Sequence, residues 1–100
     1  MRFGLEQRII EKIVSVIDMC KVVQKAVIFG SRARGDFRYN SDIDIAIYMD
    51  GKPYPGFFAD LDNAAEIYKI NVIDMASVTN EKLRQNIERE GIEIYRRNNL

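Results

Sequence analysis

The chain has 100 residues, 47% of them hydrophobic, with 15 Lys and Arg against 15 Asp and Glu. This length and hydrophobic content predict one globular domain over residues 1–100, and zero net charge does not favour nucleic acid, whose backbone is held by clustered surplus positive charge. The single cysteine excludes an internal disulfide, and without a signal-like start or an apolar run of membrane-spanning length we expect a cytoplasmic protein without membrane attachment.

The first predicted element is an amphipathic helix over residues 5–22. Apolar side chains recur there at helical spacing, and charged side chains fill the other side. Such a helix packs its apolar face on a sheet. Cys20 falls on the apolar flank, which predicts a small buried side chain and not a reactive thiol.

A short apolar run, Ala26 to Phe29, ends at Gly30 and Ser31. This pattern predicts a buried strand that stops at a tight turn, with Ser31 as the N-cap of a helix. A glycine lets the backbone approach a ligand closely, and the N–H groups of a helix start favour an anion such as phosphate. Taken alone, however, a Gly-Ser pair also fits an ordinary strand-turn-helix junction.

The next strand, residues 42–49, alternates acidic or small residues with apolar ones. Side chains alternate across a strand, so Asp42 and Asp44 are predicted on one face and Ile43, Ile45 and Ile47 in the core. Two carboxylates at this spacing can bind a hard cation such as magnesium. Without further evidence, an acidic solvent-exposed strand face explains the same pattern.

The second half of the chain predicts a loop, two helices and two strands. Residues 50–56 are rich in turn formers, residues 57–67 predict a helix, and residues 68–75 predict a third strand. Thr79 or Asn80 is expected to cap a helix that ends near Glu90, and residues 92–95 predict a short edge strand. Tyr54 and Phe57, beside the proline-rich loop, either fold back onto the domain or form an interaction patch.

The segment GSRARGD, followed by SDIDIAI, resembles the signature of the minimal nucleotidyltransferase (MNT) family of the polymerase-β-like superfamily. The resemblance consists of Gly30-Ser31, ten intervening residues and Asp42-x-Asp44. It implies the α/β (α+β) nucleotidyltransferase fold. We therefore expect a small mixed β-sheet with helices on the face that receives the isoleucines, and Asp42 and Asp44 on the open face.

The resemblance also implies a reaction and a set of site residues. In such a family, a nucleoside monophosphate passes from a triphosphate to an acceptor hydroxyl. The catalytic, metal-binding positions correspond to Asp42 and Asp44, which would hold two Mg²⁺ ions when nucleotide is bound. The nucleotide-binding positions correspond to the Gly-Ser turn and the two arginines that follow it, namely Gly30, Ser31, Arg32 and Arg34.

The third strand departs from the family pattern. Family members commonly read apolar-Asp-apolar-apolar-Asp, which on residues 70–74 places Asn71 where the third catalytic carboxylate is expected. Asn71 offers a carbonyl oxygen but neither charge nor basicity. Asp74 lies an odd number of residues away and is therefore predicted on the opposite sheet face unless a bulge intervenes.

Two functional interpretations follow. The first is an active, magnesium-dependent transferase, expected to move AMP from ATP to a partner protein or small molecule, as an antitoxin of a two-gene system. The second is a catalytically weakened nucleotide-binding module that docks to a helical partner chain. A domain of this size has little surface left to recognise an acceptor, and the resemblance implies a HEPN-type or substrate-binding helical partner.

Overall fold

A computed structural model of the protein describes residues 2–98. Within these residues, helices and strands alternate along the chain. The elements are α1 (Gln7–Met19), β1 (Val23–Phe29), α2 (Ser31–Arg34), β2 (Ile43–Met49), α3 (Phe57–Ala64), β3 (Ile70–Asp74), a 3₁₀ turn (Met75–Ser77), α4 (Glu81–Glu90) and β4 (Ile92–Arg96). No helix in this part of the chain combines the length and apolarity needed to cross a membrane.

The four strands form one mixed sheet in the order β3-β2-β1-β4. Strand β1 pairs antiparallel with β2 and β4, whereas β2 and β3 are parallel. The predicted mixed sheet and α/β class are thereby confirmed. Strands β1 and β2, the central pair, carry the Gly-Ser turn and the Asp-x-Asp motif at adjoining ends.

The main core lies between one sheet face and the helices α1 and α3. Ile43, Ile45 and Ile47 are fully buried on that face, as the alternation predicts. Cys20 is buried in the same cluster, which confirms its role as a small apolar side chain. Burying these branched side chains removes apolar surface from water, which supplies most of the free energy of folding.

Helix α4 packs on the second sheet face, so the prediction that helices lie on one face is wrong. Ala46 of β2, Val27 of β1 and Ile87 of α4 form a second buried cluster. The reason is that β1 and β2 carry apolar residues on both faces, and the small Ala46 side chain leaves room for a helix. Helix α4 begins as expected, because the Asn80 side chain accepts a hydrogen bond from Leu83 N at 3.1 Å.

The aromatic residues after the proline-rich loop fold back onto the domain. Phe57 is fully buried, and the Tyr54 ring contacts it edge-on with centroids 5.6 Å apart. The Tyr54 hydroxyl donates a hydrogen bond to Asp60, which raises the pKa of Tyr54 to about 12. An interaction patch built on Phe57 is therefore ruled out.

Candidate active site

Strand pairing brings the predicted acidic residues to one end of the second sheet face. In the register of β2 with β3, Asp44 lies beside Asn71, and in that of β2 with β1 it lies beside Phe29, the last residue before the Gly-Ser turn. Helix α4 covers the part of this face nearer Ala46. Asp42, Asp44 and Asn71 stay partly exposed, so a ligand has access to them.

Asn71 bridges the two carboxylates. Its Nδ2 donates hydrogen bonds to Asp42 Oδ2 and Asp44 Oδ1, each at 3.0 Å. Because both carboxylates contact one nitrogen, they share a sheet face, as the alternation predicts. The amide offsets part of their mutual repulsion with two N–H groups but adds no charge of either sign.

The Gly-Ser turn contacts this acidic pair directly. Gly30 has φ +74°, and a Cβ atom built on it would lie 2.5 Å from Asp44 Oδ2. Only glycine therefore fits both the backbone conformation and the space beside the carboxylate. The prediction of Ser31 as N-cap is wrong: Gly30 occupies the cap position, and Ser31 is the first residue of α2. The backbone of Gly30 is non-helical, but its carbonyl already accepts the first helical hydrogen bond, from Arg34 N at 3.0 Å, which makes it the cap residue.

Arg32, predicted to bind nucleotide, instead points into the protein, where backbone carbonyls accept its hydrogen bonds. Its side chain is only 2% exposed. Its Nη1 donates to the carbonyl of Phe3 at 2.8 Å, Nη2 to Tyr39 at 3.2 Å, and both Nε and Nη2 to Ser41, at 3.1 and 2.8 Å. Burial lowers the Arg32 pKa, an effect that Tyr68 and Asp42 oppose.

Arg34 remains exposed at the end of α2. Its Nε donates to the Asp36 carboxylate and its Nη1 to the Glu90 carboxylate, both at 3.2 Å, and the hydrogen bond that Arg34 donates to Asp36 is the main reason that the Arg34 pKa is raised. The Arg34 charge is therefore already shared between two carboxylates. Through this ion pair, Glu90 connects the end of α4 to α2, the helix that follows the Gly-Ser turn.

Asp74 lies away from the acidic pair. It sits opposite Ile47 in the regular pairing of β3 with β2, and its carboxylate accepts hydrogen bonds from Ala76 N and Ser77 Oγ. These bonds cap the 3₁₀ turn. The prediction that Asp74 does not replace the third acid is thus supported by its position, because no bulge is present in this pairing.

Two contacts beside the site were missed by the sequence reasoning. The Phe37 ring occupies the space where a Cβ of Gly4 would lie. The central carbon of the Arg32 guanidinium lies over the rings of Phe37 and Tyr68, 5.3 and 5.1 Å from their centroids. Nothing in the local pattern around Gly4 indicates such a contact, because the partners are more than thirty residues apart.

The chain resembles a known protein family and several solved structures. The family model described as polymerase beta nucleotidyltransferase matches residues 11–100. A search of curated protein sequences found no match.

Several crystal structures share the fold. A toxin-antitoxin with AMP-PNP superposes with a TM-score of 0.73 at 24% identity, over 88% of this chain and 73% of that one. A tri-AMPylated HEPN toxin of Shewanella oneidensis in complex with MNT antitoxin gives 0.68 at 20% identity, over 93% and 74%. The toxin-antitoxin MntA-HepT gives 0.68 at 22%, over 92% and 74%.

The family model covers nearly all of the chain, including the Gly-Ser turn, the paired aspartates and the Asn71 strand. The solved structures add the same fold at low sequence identity. The chain therefore belongs to the polymerase beta nucleotidyltransferase family.

Proposed function

We propose that the chain transfers a nucleoside monophosphate, expected to be AMP from ATP, to a hydroxyl group of a partner protein or small molecule. The observation that carries this proposal is the convergence of Asp42, Asp44 and Asn71 beside the Gly30-Ser31 turn. In this reaction the acceptor oxygen forms a bond to the α-phosphorus. The bond from that phosphorus to the bridging oxygen breaks, pyrophosphate leaves with the electron pair, and the acceptor proton passes to solvent.

The residues present suit magnesium. Mg²⁺ prefers oxygen ligands and is commonly held by one or two carboxylates together with substrate phosphates, so Asp42 and Asp44 would hold it. The chemistry that it supplies is neutralisation of the triphosphate and a lower pKa for the acceptor hydroxyl. Among residues 2–98 no group of three or more His, Cys, Asp or Glu is arranged as a metal site, in agreement with Asn71 in place of a third acid.

The arginine side chains near the Gly-Ser turn would neutralise little of the negative charge of the nucleotide, so the cation would neutralise most of it. Arg32 is buried against backbone carbonyls, and the Arg34 guanidinium forms ion pairs with both Asp36 and Glu90. The backbone N–H groups at the start of α2 would donate hydrogen bonds to phosphate oxygens. We therefore propose that nucleotide binding depends on magnesium and on Asp42 and Asp44 together.

The partner proposed is a helical HEPN-type protein. Two of the solved structures with this fold are described as a HEPN toxin with an MNT antitoxin and as a toxin-antitoxin with AMP-PNP. These descriptions support ATP as donor and an antitoxin role in a two-gene system. The predicted cytoplasmic location belongs to the same proposal.

A second candidate function is a nucleotide-binding module that acts by docking to its partner. The observation that favours it is the Asn71 amide, which satisfies both carboxylates but cannot accept a proton from the acceptor. In this case a magnesium ion held by Asp42 and Asp44 would still bind the triphosphate together with the Gly-Ser turn. Transfer would be slow or absent.

The experiment that separates the two functions is incubation with α-labelled ATP, magnesium and candidate HEPN-type partners. The transferase predicts label that stays on the partner after denaturation, and the double variant Asp42→Ala, Asp44→Ala predicts none. Asp62→Ala is the matched control, because it removes an exposed carboxylate on α3. Nucleotide binding without covalent label on any partner would instead support the docking module.

A further inference from the structure

The loop that leads into Asp42 is held by Arg32. Two nitrogens of the guanidinium, Nε and Nη2, donate to the carbonyl of Ser41, the residue directly before Asp42. The peptide group is planar, so fixing the Ser41 carbonyl also fixes the backbone nitrogen of Asp42. Nη2 reaches the carbonyl of Tyr39 as well, and Ser41 Oγ accepts from Arg38 N at 2.8 Å, which closes the turn.

The same guanidinium binds the N-terminal turn, residues 2–5. Nη1 donates to the carbonyl of Phe3, which has φ +59°, and the following residue, Gly4, has φ +69°. A non-glycine residue in this region is strained and persists only where the surroundings hold it. The ring of Phe37 covers Gly4 so closely that a Cβ there would lie 2.1 Å from the nearest ring carbon.

The shape of the Arg32 side chain allows it to contact the loop before Asp42 and the N-terminal turn at the same time. A buried charge is costly unless its donors are hydrogen-bonded, and here the planar guanidinium donates to three carbonyls and contacts the rings of Phe37 and Tyr68. A lysine ammonium carries the same charge, but it is compact and cannot donate to several carbonyls in the fixed planar geometry of a guanidinium. Loss of any one contact therefore affects both the N-terminal turn and the loop.

We propose that Arg32 is a positioning residue for Asp42: with Phe37, it clamps the N-terminal turn against residues 36–41 and so sets where Asp42 enters the sheet. The inference rests on the proposed function only in assigning Asp42 to the nucleotide site. Whether residues 36–41 are held in place can be measured on the protein without nucleotide, independently of the proposed function.

The first test disturbs the contact between the Phe37 ring and Gly4 in the N-terminal turn. Gly4→Ala is expected to displace Phe37, whereas Gly56→Ala is the matched control, because Gly56 has φ +92° with no atom within 4 Å of its Cβ position. We expect amide hydrogen exchange over residues 37–42, measured without nucleotide, to be about tenfold faster in Gly4→Ala, as for loss of one hydrogen bond to a charged group. Gly56→Ala should match the wild type there.

The second test asks whether geometry or charge matters. Arg32→Lys keeps the charge but not the fork, so it should show the same faster exchange and about tenfold weaker binding of a fluorescent ATP analogue with Mn²⁺. If Arg32→Lys does not fold, Phe37→Leu replaces it, because it removes the ring over Gly4 but keeps an apolar side chain.

Three outcomes decide the inference. Faster exchange in residues 37–42 and in the N-terminal turn, but not elsewhere, in folded Gly4→Ala and in Arg32→Lys or Phe37→Leu supports it. Exchange in Gly4→Ala equal to that in Gly56→Ala, or wild-type exchange in Arg32→Lys, overturns it. Failure of the wild type to bind nucleotide contradicts the proposed function, while the exchange comparison still decides whether the clamp exists.

Discussion

At the scale of single residues, Asn71 limits what the site can do. It stands beside Asp44 in the β2 and β3 register, and its amide donates to both carboxylates. An aspartate there would bring three negative charges together, which is unfavourable unless a cation neutralises them. With magnesium bound, that third carboxylate would supply the charge and basicity that an amide lacks.

Asn71→Asp is accordingly expected to raise transfer. The gain should be about 10²- to 10⁴-fold, the usual range for general base assistance, and should appear in kcat more than in nucleotide affinity. Turnover of α-labelled ATP with the partner measures it, and Asn71→Ala, which removes the amide without adding an acid, is the control. Brisk wild-type transfer that Asn71→Asp leaves unchanged would show that no third acid is needed at this position.

At the scale of elements, helix α4 gives the second sheet face its own core. Its Ile87 is buried in one cluster with Ala46 and Val27, and its last residue, Glu90, pairs with Arg34 beside the site. The helix thus covers one end of the face and leaves the aspartate end accessible. Met75 of the 3₁₀ turn completes this cluster.

Ala46→Leu tests this packing. Ala46 is fully buried in the cluster that contains Ile87 of α4, so a larger side chain is expected to cost about 1–3 kcal/mol in the free energy of unfolding, the usual effect of overpacking a core. Urea denaturation followed by circular dichroism measures it. Ala76→Leu adds the same atoms at an exposed position of the 3₁₀ turn and should be nearly neutral. Equal stabilities of the two variants would mean that the face beneath α4 is open.

At the scale of the whole molecule, nucleotide binding and stability are linked. The protein has no net charge, and the two aspartates of the candidate site, Asp42 and Asp44, are bridged by an amide without a formal positive charge. A ligand that binds only the folded state stabilises it by mass action. Magnesium and ATP together should therefore raise the melting temperature, whereas neither should do so as strongly alone.

At a magnesium-ATP concentration about 100 times Kd, the stabilisation is about 2.7 kcal/mol, which corresponds to a rise in Tm on the order of 10 °C for a domain of this size. Chelation of magnesium, or replacement of Asp42 and Asp44 by alanine, should abolish the rise. Asp62→Ala should retain it. Differential scanning fluorimetry provides the measurement, and an undiminished shift in the double alanine variant would contradict the proposed metal site.

Local patterns in the sequence predicted the elements that carry the site. The alternation over residues 42–49 correctly places Asp42 and Asp44 on one face and the isoleucines in the core. The Asn80 cap and the strand at Ile92 were also correct. These features follow from neighbouring residues alone, because strand and helix periodicities and caps depend on spacings of two to four residues.

What the sequence by itself determined is therefore the strand that carries the paired aspartates, the turn beside it and the departure at Asn71. Only the tertiary structure decided that Arg32 points inward, that α4 takes the second face and that Asn71 bridges both carboxylates. The physical reason is distance along the chain. Arg32 meets Phe3, and Asn71 meets Asp42, across 29 residues each, so their partners exist only once the sheet has assembled.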